Sequence, residues 1–407
     1  MTAPAVDELR LLPADGPLDL RAHLDRYGPP PFGDAGHLVD AVERSGLTGR
    51  GGAAFPAGRK LRAVAVAAPR GGTVVVANGS ESEPASSKDA VLLANAPHLV
   101  LDGIALAAAA VGATRAYLCV GERSAGLPEA VAQRDRAGLN RVPIQVSSTP
   151  PGYLAGQETA LISALNGGAA RPTFVPPRPA TRGAHRRPTL VLNVETLAHV
   201  ALIARYGPEW FRQIGTAAAP GSALVTVSGA VTRPGVYEIP LGLPLRELLD
   251  RTGVTDDPQA VLTGGYFGSW LALPADVRLS PPALGPGVLA VLPRSYCGLA
   301  ETARVTGYLA SQTARQCGPC LNGMPALAET MNWLAFGTSD GDLVNWAHEL
   351  TRLIDGRGAC HLPDGTAALV ASALEVFGAD VAAHVAAGPC ERAGRPPMLP
   401  LPSLAAS

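Results

Sequence analysis

Between residues 73 and 148, strand-like and helix-like segments alternate, and this alternation constrains the fold more than any other feature. The apolar run TVVVANG begins it; a helical pattern from residue 90, the run RAYLCVG, a second helical pattern and VPIQVSS follow. Strands separated by helices pair in parallel, because each helix carries the chain back to the starting edge of the sheet. We therefore predict an α/β domain with a parallel sheet over residues 46–215.

Two further domains are predicted after it. Short strands around one helix, PLRELLDRTG, give residues 221–290 the size and order of a β-grasp (SLBB-like) α+β module. Four helical patterns at 297–386 predict a helical bundle. We predict that residues 1–45 are a lead-in with one short helix near 36–45, and that residues 387–407 are a flexible tail.

The charge balance bears on the class of partner. A formal net charge of −1 over 407 residues removes any global case for binding nucleic acid or a membrane surface. The longest apolar run, 99–113, is too short to cross a bilayer and contains Asp102, so we expect a buried helix and no membrane insertion. The absence of a secretory pattern at the start and the six cysteines predict a cytoplasmic protein.

Lysine is rare in this chain, and both lysines lie close together. Of the 33 basic residues only Lys60 and Lys88 are lysine. An ammonium is a compact donor whereas a guanidinium is a broad planar fork, so a crowded site for a phosphate or a ring substituent can require the smaller group. The alternative is that two lysines are a chance sample.

Three loops have the composition of ligand-binding segments. They are GLTGRGGAAFPAG at 46–58, ANGSESEPASSKD at 77–89 and PPGYLAGQETALISALNGG at 150–168. Clustered glycines let backbone N–H groups approach an anion, and a helix N-terminus carries partial positive charge. Each loop taken alone has an ordinary interpretation as well: a plain turn, a solvated loop and a simple helix start.

The segment TARQCGPCLNG at 313–323 holds the only C-x-x-C in the chain. Its spacing is compatible with a redox dithiol, with half of a zinc site, or with part of an iron-sulfur site. A thioredoxin-type dithiol opens a helix directly after a strand, whereas the residues before Cys317 have a helical pattern. Cys360 and His361 offer further ligands for zinc.

The order of these motifs resembles that in the family of flavin-bearing (NuoF, 51 kDa) subunits of NADH:quinone oxidoreductase. GRGGAAFPAGRKL, NGSESEPASSKD, PGYLAGQETAL and LNVETL match the family's motifs in sequence order, from about residue 40 to 385. The resemblance implies an FMN-binding parallel-sheet domain, then the β-grasp module, then the helical domain. The FMN-binding positions it implies are Gly49, Gly51, Lys60, Asn78, Glu81, Ser82, Tyr153, Gly156, Glu158 and Asn193.

The resemblance also implies binding of NADH or NADPH as the substrate. Phe55, Glu83 and Glu158 match nicotinamide-nucleotide positions of the family, whereas Val175 stands where the family has a lysine. Other departures are Ser80, Gln157 and Leu192 near the flavin, and Ala63 and Arg178 at phenylalanine positions. Five arginines and His185 between residues 170 and 188 are a candidate patch for dinucleotide phosphates or for an acidic carrier protein.

The family's iron-sulfur motif is only partly present. Cys317, Cys320 and Cys360 align with three of its four cluster ligands, and the remaining ligand position holds Ala314. We therefore expect a variant 4Fe-4S site or a 3Fe-4S form. Cys297, Cys390 or His361 are the candidates for a fourth ligand, and Cys119 is expected in the core of the sheet.

The function that these observations predict is that of an NADH dehydrogenase-type oxidoreductase subunit. It would oxidise a reduced nicotinamide cofactor through FMN and pass electrons to an iron-sulfur or ferredoxin-like acceptor protein. Glu158 and Glu83 would position the nucleotide and would not act as acid or base. The alternative is a non-redox binding or assembly protein on a degenerate scaffold of the same family, which Ser80, Leu192 and Ala314 favour.

Overall fold

The computed structural model describes residues 10–68, 72–121, 126–255 and 257–402. The N-terminal segment contains helices α1 (Leu20–Tyr27) and α2 (Ala35–Ser45), of which the sequence predicted only the second. Leu11, Tyr27 and Val42 are buried in the core of the first domain. Residues 10–45 are therefore an integral layer of that domain and not a separate lead-in.

A four-stranded parallel sheet organises the first domain, as the alternation of segments predicted. Its strand order is β3-β2-β1-β4. Val75 and Ala77 face one core of the domain, and Val74 and Val76 face a second core on the other side of the sheet. The strands are β1 (Thr73–Gly79), β2 (Ala113–Val120), β3 (Ile144–Ser148) and β4 (Thr189–Asn193).

Helices cover both faces of this sheet, because a parallel strand must bury both of its sides. Gly103 lets two of them, α5 and α8, pack closely, since a Cβ there would meet Leu197 O at 2.0 Å. The helices are α3 (Ala57–Val66), α4 (Lys88–Asn95), α5 (Pro97–Ala110), α6 (Leu127–Arg136), α7 (Glu158–Leu165) and α8 (Val194–Phe211).

Asp102 is the charged residue inside the apolar run that the sequence placed in a buried helix. Its carboxylate is fully buried and accepts from Arg134 Nη2 at 2.6 Å, from Arg205 Nη2, and lies 2.9 Å from His23 Nε2. A buried carboxylate is tolerated when it is paired and hydrogen-bonded. Asp102 thus joins α1, α5, α6 and α8.

The second domain is a five-stranded mixed sheet of order β6-β5-β9-β7-β8. Two neighbouring strands, β5 and β9, are parallel, and the other pairs are antiparallel. This arrangement around one main helix agrees with the predicted β-grasp module. Its elements are β5 (Ser222–Gly229), β6 (Gly235–Pro240), α9 (Leu245–Thr252), β7 (Pro258–Thr263), β8 (Ser269–Ala272), α10 (Pro281–Leu284) and β9 (Val288–Pro293).

The C-terminal domain is helical, and it packs on the face of the second sheet opposite α9. The last predicted helix divides into two that are bent by 76°. A π-helical segment, Pro319–Gly323, precedes the second helix of the domain. The helices are α11 (Gly298–Ser311), α12 (Met324–Phe336), α13 (Gly341–Ile354), α14 (Leu362–Val376) and α15 (Gly378–Ala387).

The end of the chain differs from the predicted flexible tail as far as residue 402. Met398 N and Leu399 N donate to Glu301 Oε2 at 3.0 and 2.9 Å, and Leu399 is buried. Tyr266 OH donates to Pro400 O. Met398, Leu399 and Leu401 of the segment PPMLPLPS pack on the core of the helical domain, whereas its prolines are exposed.

Among the described helices, none is by itself long and apolar enough to span a bilayer. Two bent pairs, α4 with α5 and α14 with α15, reach the required length and composition only when each pair is counted together.

Candidate functional site

The predicted ligand loops meet at the carboxyl end of the parallel sheet. β1 and β4 are neighbours there, with Asn78 opposite Asn193. Asn193 Nδ2 donates to Asn78 O at 3.2 Å, and Asn78 Nδ2 donates to Gly156 O at 2.7 Å. Because ligands of open α/β sheets bind outside the carboxyl ends of the strands, this convergence marks a candidate binding site.

Lys60 and Glu158 form an ion pair in this site. Lys60 Nζ lies 3.2 and 3.1 Å from the two carboxylate oxygens of Glu158 and 3.4 Å from Val191 O. The side chains are 30% and 33% exposed, so both face open space as well as each other. The pair offers an ammonium and a carboxylate to a polar ligand at one place.

The glycine-rich loop leads into the helix of Lys60, and hydrogen bonds of the Arg50 side chain anchor it. The Arg50 guanidinium is buried. It donates to the backbone oxygens of Thr48 and Ser222, and Ser222 is the first residue of β5. Gly51 is exposed and faces Asn193, since a Cβ at Gly51 would meet Asn193 Cβ at 3.3 Å. Phe55, at the end of the loop, is 43% exposed.

Two residues of the SESEP loop have different surroundings. Glu81 accepts from the backbone N–H groups of Asp89 and Ala90, both at 2.9 Å, so its carboxylate binds the N-terminus of α4. Ser82 lies against Gly156, where a Cβ would come within 2.8 Å of Ser82 Oγ. Gly156 therefore allows the second and third loops to close on each other.

Glu83 is buried at the junction of the three domains. Its Oε2 accepts from Tyr153 OH and from Tyr266 N, each at 2.9 Å, and its Oε1 accepts from Ala85 N at 3.2 Å. Burial raises the pKa of Glu83 and these hydrogen bonds lower it. Burial has the larger effect, and the resulting pKa is about 7. The carboxyl group is thus enclosed by the protein, whereas the resemblance implied an open contact with the nucleotide.

The two lysines have separate roles. Lys88 is buried, and its Nζ lies 2.6 Å from Asp89 Oδ1 and 2.8 Å from Glu195 Oε2. Burial lowers the pKa of Lys88, but the two carboxylates outweigh it and raise the pKa above its ordinary value. Lys88 is therefore a structural cation behind Asn193, and Lys60 is the lysine that faces the open site.

Two of the residues that differ from the family motifs, Gln157 and Ser80, make hydrogen bonds within the protein. Gln157 Oε1 caps α7 by accepting from Thr159 N and Ala160 N at 2.8 and 3.0 Å. Ser80 Oγ lies 2.9 Å from Thr149 Oγ1. Leu192 is buried in the core of the first domain.

The arginine-rich loop does not form one patch. Thr173 N donates to Thr159 Oγ1 at 2.9 Å, which places the beginning of the loop beside α7 at the site. Further along, Pro179 O accepts from Thr189 N and Arg187 Nη1 donates to Thr114 Oγ1, both at the amino end of the sheet. Arg178, next to Pro179, consequently lies away from the ligand loops.

The three aligned cysteines lie in one region of the helical domain. Cys317 Sγ is 3.5 Å from Cys320 Sγ, just before and within the π-helical segment. Burial raises the pKa of the Cys360 thiol, and the nearby Cys320 and Cys317 raise it further. No strand precedes Cys317 within the described residues 298–316, which agrees with the argument against a thioredoxin-type dithiol.

The cysteine region contacts the third ligand loop directly. Tyr153 N donates to Gln312 Oε1 at 3.0 Å, and Gln312 is the C-cap of α11, two residues before Ala314. Ala314 is 5% exposed and packs in the helical core. Neither Gln312 nor Arg50 was identified from the sequence, because their contacts join residues more than 140 positions apart.

Two of the three candidate fourth ligands belong to a different group of side chains, whereas His361 directly follows Cys360. Cys297 and Cys390 form a group with His384, a residue that the sequence did not single out. His361 is 93% exposed and contacts Asp364 at 3.0 Å. Cys119 is buried in the sheet, where the sequence placed it.

The residue types present fit both groups that the resemblance implied. The exposed Gly51 lies against Asn193, the Lys60 ammonium lies beside Glu158, and a side chain at Gly156 would come too close to Ser82. Backbone N–H groups and a point cation suit a phosphorylated flavin. Cys320 is buried and Cys317 and Cys360 are half-buried, and these three thiol groups suit iron, which prefers thiolates.

Comparison with known protein families gives three matches in chain order. Residues 42–202 match the Nuo51 FMN-binding domain, residues 224–265 match the SLBB domain, and residues 294–384 match the NADH-ubiquinone oxidoreductase-F iron-sulfur binding region. The first and last of these contain the ligand loops and the three aligned cysteines.

Curated relatives match along most of the chain. The F subunit of NADH-quinone oxidoreductase from Mycobacterium tuberculosis (strain ATCC 25618 / H37Rv) is 33% identical over 395 residues, covering 89% of this chain and 87% of the relative. The relative of the same name from Aquifex aeolicus is 32% identical, covering 84% of each chain.

Among solved structures, an NAD+-reducing NiFe hydrogenase in the H2-reduced state resembles this chain with a TM-score of 0.84 at 29% identity. The likeness covers 90% of this chain and 66% of the hydrogenase chain, so the hydrogenase chain extends beyond the shared part.

Proposed function

Because this chain belongs to the family of NADH-quinone oxidoreductase F subunits, we propose that it oxidises NADH through FMN and passes the electrons to an iron-sulfur acceptor protein. FMN, when bound, takes up two electrons from a reduced nicotinamide and releases them one at a time. The described residues of this chain serve to hold the flavin and the nucleotide and to exclude water.

The observation that carries this proposal is the contact between the ligand loops and the cysteine region. Tyr153 belongs to the third ligand loop, and its N–H donates to Gln312, which leads into the segment of Cys317 and Cys320. A protein that only bound flavin would not need its flavin loop fixed against a thiolate-rich loop. An electron carrier does, because transfer requires two redox centres in close proximity.

We assign the flavin phosphate and ring substituents to the side of the site formed by Gly51, Lys60 and Asn193. Both oxygens of Glu158 accept from Lys60, so Glu158 orients the ammonium, and each oxygen keeps a lone pair that can accept from a sugar hydroxyl. Phe55 is exposed at the rim and can stack on a nicotinamide or adenine ring. Glu83 acts through Tyr153, since its carboxyl group is enclosed.

The acceptor follows from the cysteines that the chain holds. The described residues contain one cysteine-rich region of the aligned type, at Cys317, Cys320 and Cys360, so the next redox centre lies on another polypeptide. Leu321 follows Cys320 and is 49% exposed, which offers an apolar contact beside the thiolates. We propose a ferredoxin-like partner in the cytoplasm.

The test is NADH-dependent reduction of a one-electron acceptor by the FMN-loaded protein under anaerobic conditions. Ferricyanide takes electrons from the flavin, and an added 2Fe-2S ferredoxin tests transfer to a protein. We expect both to be reduced. A protein that binds FMN but reduces neither acceptor with NADH would overturn the redox function and leave the non-redox binding role.

A further inference from the structure

A second group of metal-binding side chains lies in the helical domain. Cys297 Sγ, His384 Nε2 and Cys390 Sγ all lie within 4.8 Å of one another. Cys297 and His384 are each 1% exposed, and Cys390 is half-buried. These residues come from three different elements: the N-cap of α11, the last turn of α15 and the start of the segment after it.

The imidazole of His384 is oriented as a ligand by a neighbouring carbonyl. Its Nδ1 lies 2.9 Å from Leu334 O, and a carbonyl can only accept, so Nδ1 carries the proton. Nε2 therefore carries the lone pair of the ring; it accepts from Cys390 N at 3.2 Å and lies 3.8 Å from Cys297 Sγ. A backbone carbonyl behind the imidazole is the usual outer contact of a metal-bound histidine.

We propose that Cys297, His384 and Cys390 bind a zinc ion, at a site separate from the iron-sulfur region. Two thiolates with one imidazole are a ligand set that zinc prefers, whereas magnesium and calcium prefer oxygen. Binding displaces the two thiol protons and the hydrogen bond between Cys390 N and His384 Nε2. Three protein ligands leave the fourth tetrahedral position to water or to an added thiol.

The position of the site indicates what zinc would do there. Cys297 begins α11, and Glu301 on the same helix holds Met398 and Leu399 through their N–H groups. Cys390 begins the segment that leads to these residues. Zinc would therefore fasten the last part of the chain to α11 and α15, and so stabilise the domain that carries Cys317 and Cys320.

A disulfide between Cys297 and Cys390 is the competing use of the same atoms, since their sulfur atoms lie within 4.8 Å. In that case His384 would be a neighbouring base and not a ligand. Zinc and a disulfide exclude each other, because zinc requires both thiolates. Thiol titration of the unfolded protein therefore separates the two uses.

The experiment measures metal content of the full chain, expressed with added zinc and purified anaerobically. We expect about one zinc per chain, independent of the iron content. Exchange for Co(II) should give the intense visible absorption of a tetrahedral thiolate site together with a sulfur-to-cobalt band in the near ultraviolet. Both measurements use the parent protein, so neither depends on whether a variant folds.

Variants then assign the ligands. Cys390→Ser changes the most exposed of the three and should lose the zinc and the cobalt spectrum, with a lower Tm that no longer rises on zinc addition. Cys119→Ser and Cys320→Ser are the matched controls and should keep the zinc. Zinc that remains in Cys390→Ser, zinc lost in Cys320→Ser, a parent without zinc, or a Cys297–Cys390 disulfide in the anaerobic protein would each overturn the proposal.

Discussion

The Lys60 ammonium lies 3.1 Å from the Glu158 carboxylate at the open edge of the parallel sheet. The two residues are 98 positions apart in the sequence. Their ion pair connects α3 with α7, of which Glu158 is the first residue. Both side chains remain about one-third exposed, so the pair is held in place without being closed off. The pair therefore presents charged groups to a flavin that enters the site.

Lys60→Arg should weaken FMN binding about tenfold, although the charge is kept. The guanidinium is wider than an ammonium and cannot contact Glu158 and Val191 O from the same place. The dissociation constant is measured by fluorescence titration with FMN. Arg59→Lys, at the exposed neighbouring position, is the control and should bind like the parent; equal affinity in Lys60→Arg would refute the lysine argument.

Val175→Lys should lower the KM for NADH by about tenfold. Val175 is 50% exposed, and it stands where the resemblance places a nucleotide-binding lysine, so the parent lacks a cation for the dinucleotide phosphates there. The readout is stopped-flow reduction of the flavin over a range of NADH concentrations. Thr181→Lys adds the same charge at an exposed position of this loop near the amino end of the sheet and should change KM little. A parent that is already reduced rapidly at micromolar NADH would show that the valine is harmless.

Glu83 should make the protein less stable as pH rises from about 4.5 to about 7. Its pKa rises from 4.5 to about 7 on folding, so the folded state binds more protons in that interval and stability falls by on the order of 3 kcal/mol. Below pH 4.5 this stability is fully present. Glu83→Gln should remove this dependence, because an amide does not titrate.

The measurement for Glu83 is urea unfolding at pH 5 and pH 8, followed by tryptophan fluorescence. The unfolding free energy of the parent, relative to that of Glu83→Gln, should be lower at pH 8 than at pH 5. Glu375→Gln, on the exposed side of α14, should track the parent at both values. A parent and Glu83→Gln that respond to pH in parallel would mean that Glu83 keeps an ordinary pKa.

Cys320→Ser should abolish bound iron and leave FMN in place, because the cysteines and the flavin loops belong to different domains. Ala314→Cys should raise the iron content toward about four per chain, since it supplies the missing thiolate. Ala310→Cys, on α11, is the control and should leave iron unchanged. Iron and sulfide assays of anaerobically purified protein measure the cluster content of the parent and of each variant. A parent that already has a full, air-stable 4Fe-4S cluster would contradict this expectation.

The first domain was the most predictable part from sequence, since its strands and helices each have a local pattern. The loops that follow β1 and β4 lie at one edge of the sheet, because these parallel strands share their carboxyl ends. By contrast, Glu83 was predicted as a nucleotide contact, but it is enclosed by Tyr153 and Tyr266 from later segments. No local pattern reports a contact across 183 positions.

The cysteines show the same limit. Spacing placed Cys317 and Cys320 together, and the structure brings their sulfur atoms to 3.5 Å. Cys297 and Cys390 were considered as ligands to that group, yet they meet His384 instead. Their grouping depends on the bend between α14 and α15, which a continuous helical pattern over residues 367–385 did not reveal.

The measurement that tests the central claim most directly is an absorption spectrum of anaerobically purified protein before and after NADH. The account predicts a yellow protein with about one FMN per chain whose flavin band is bleached by about one NADH per flavin. A colourless protein that takes up no FMN on reconstitution would contradict it.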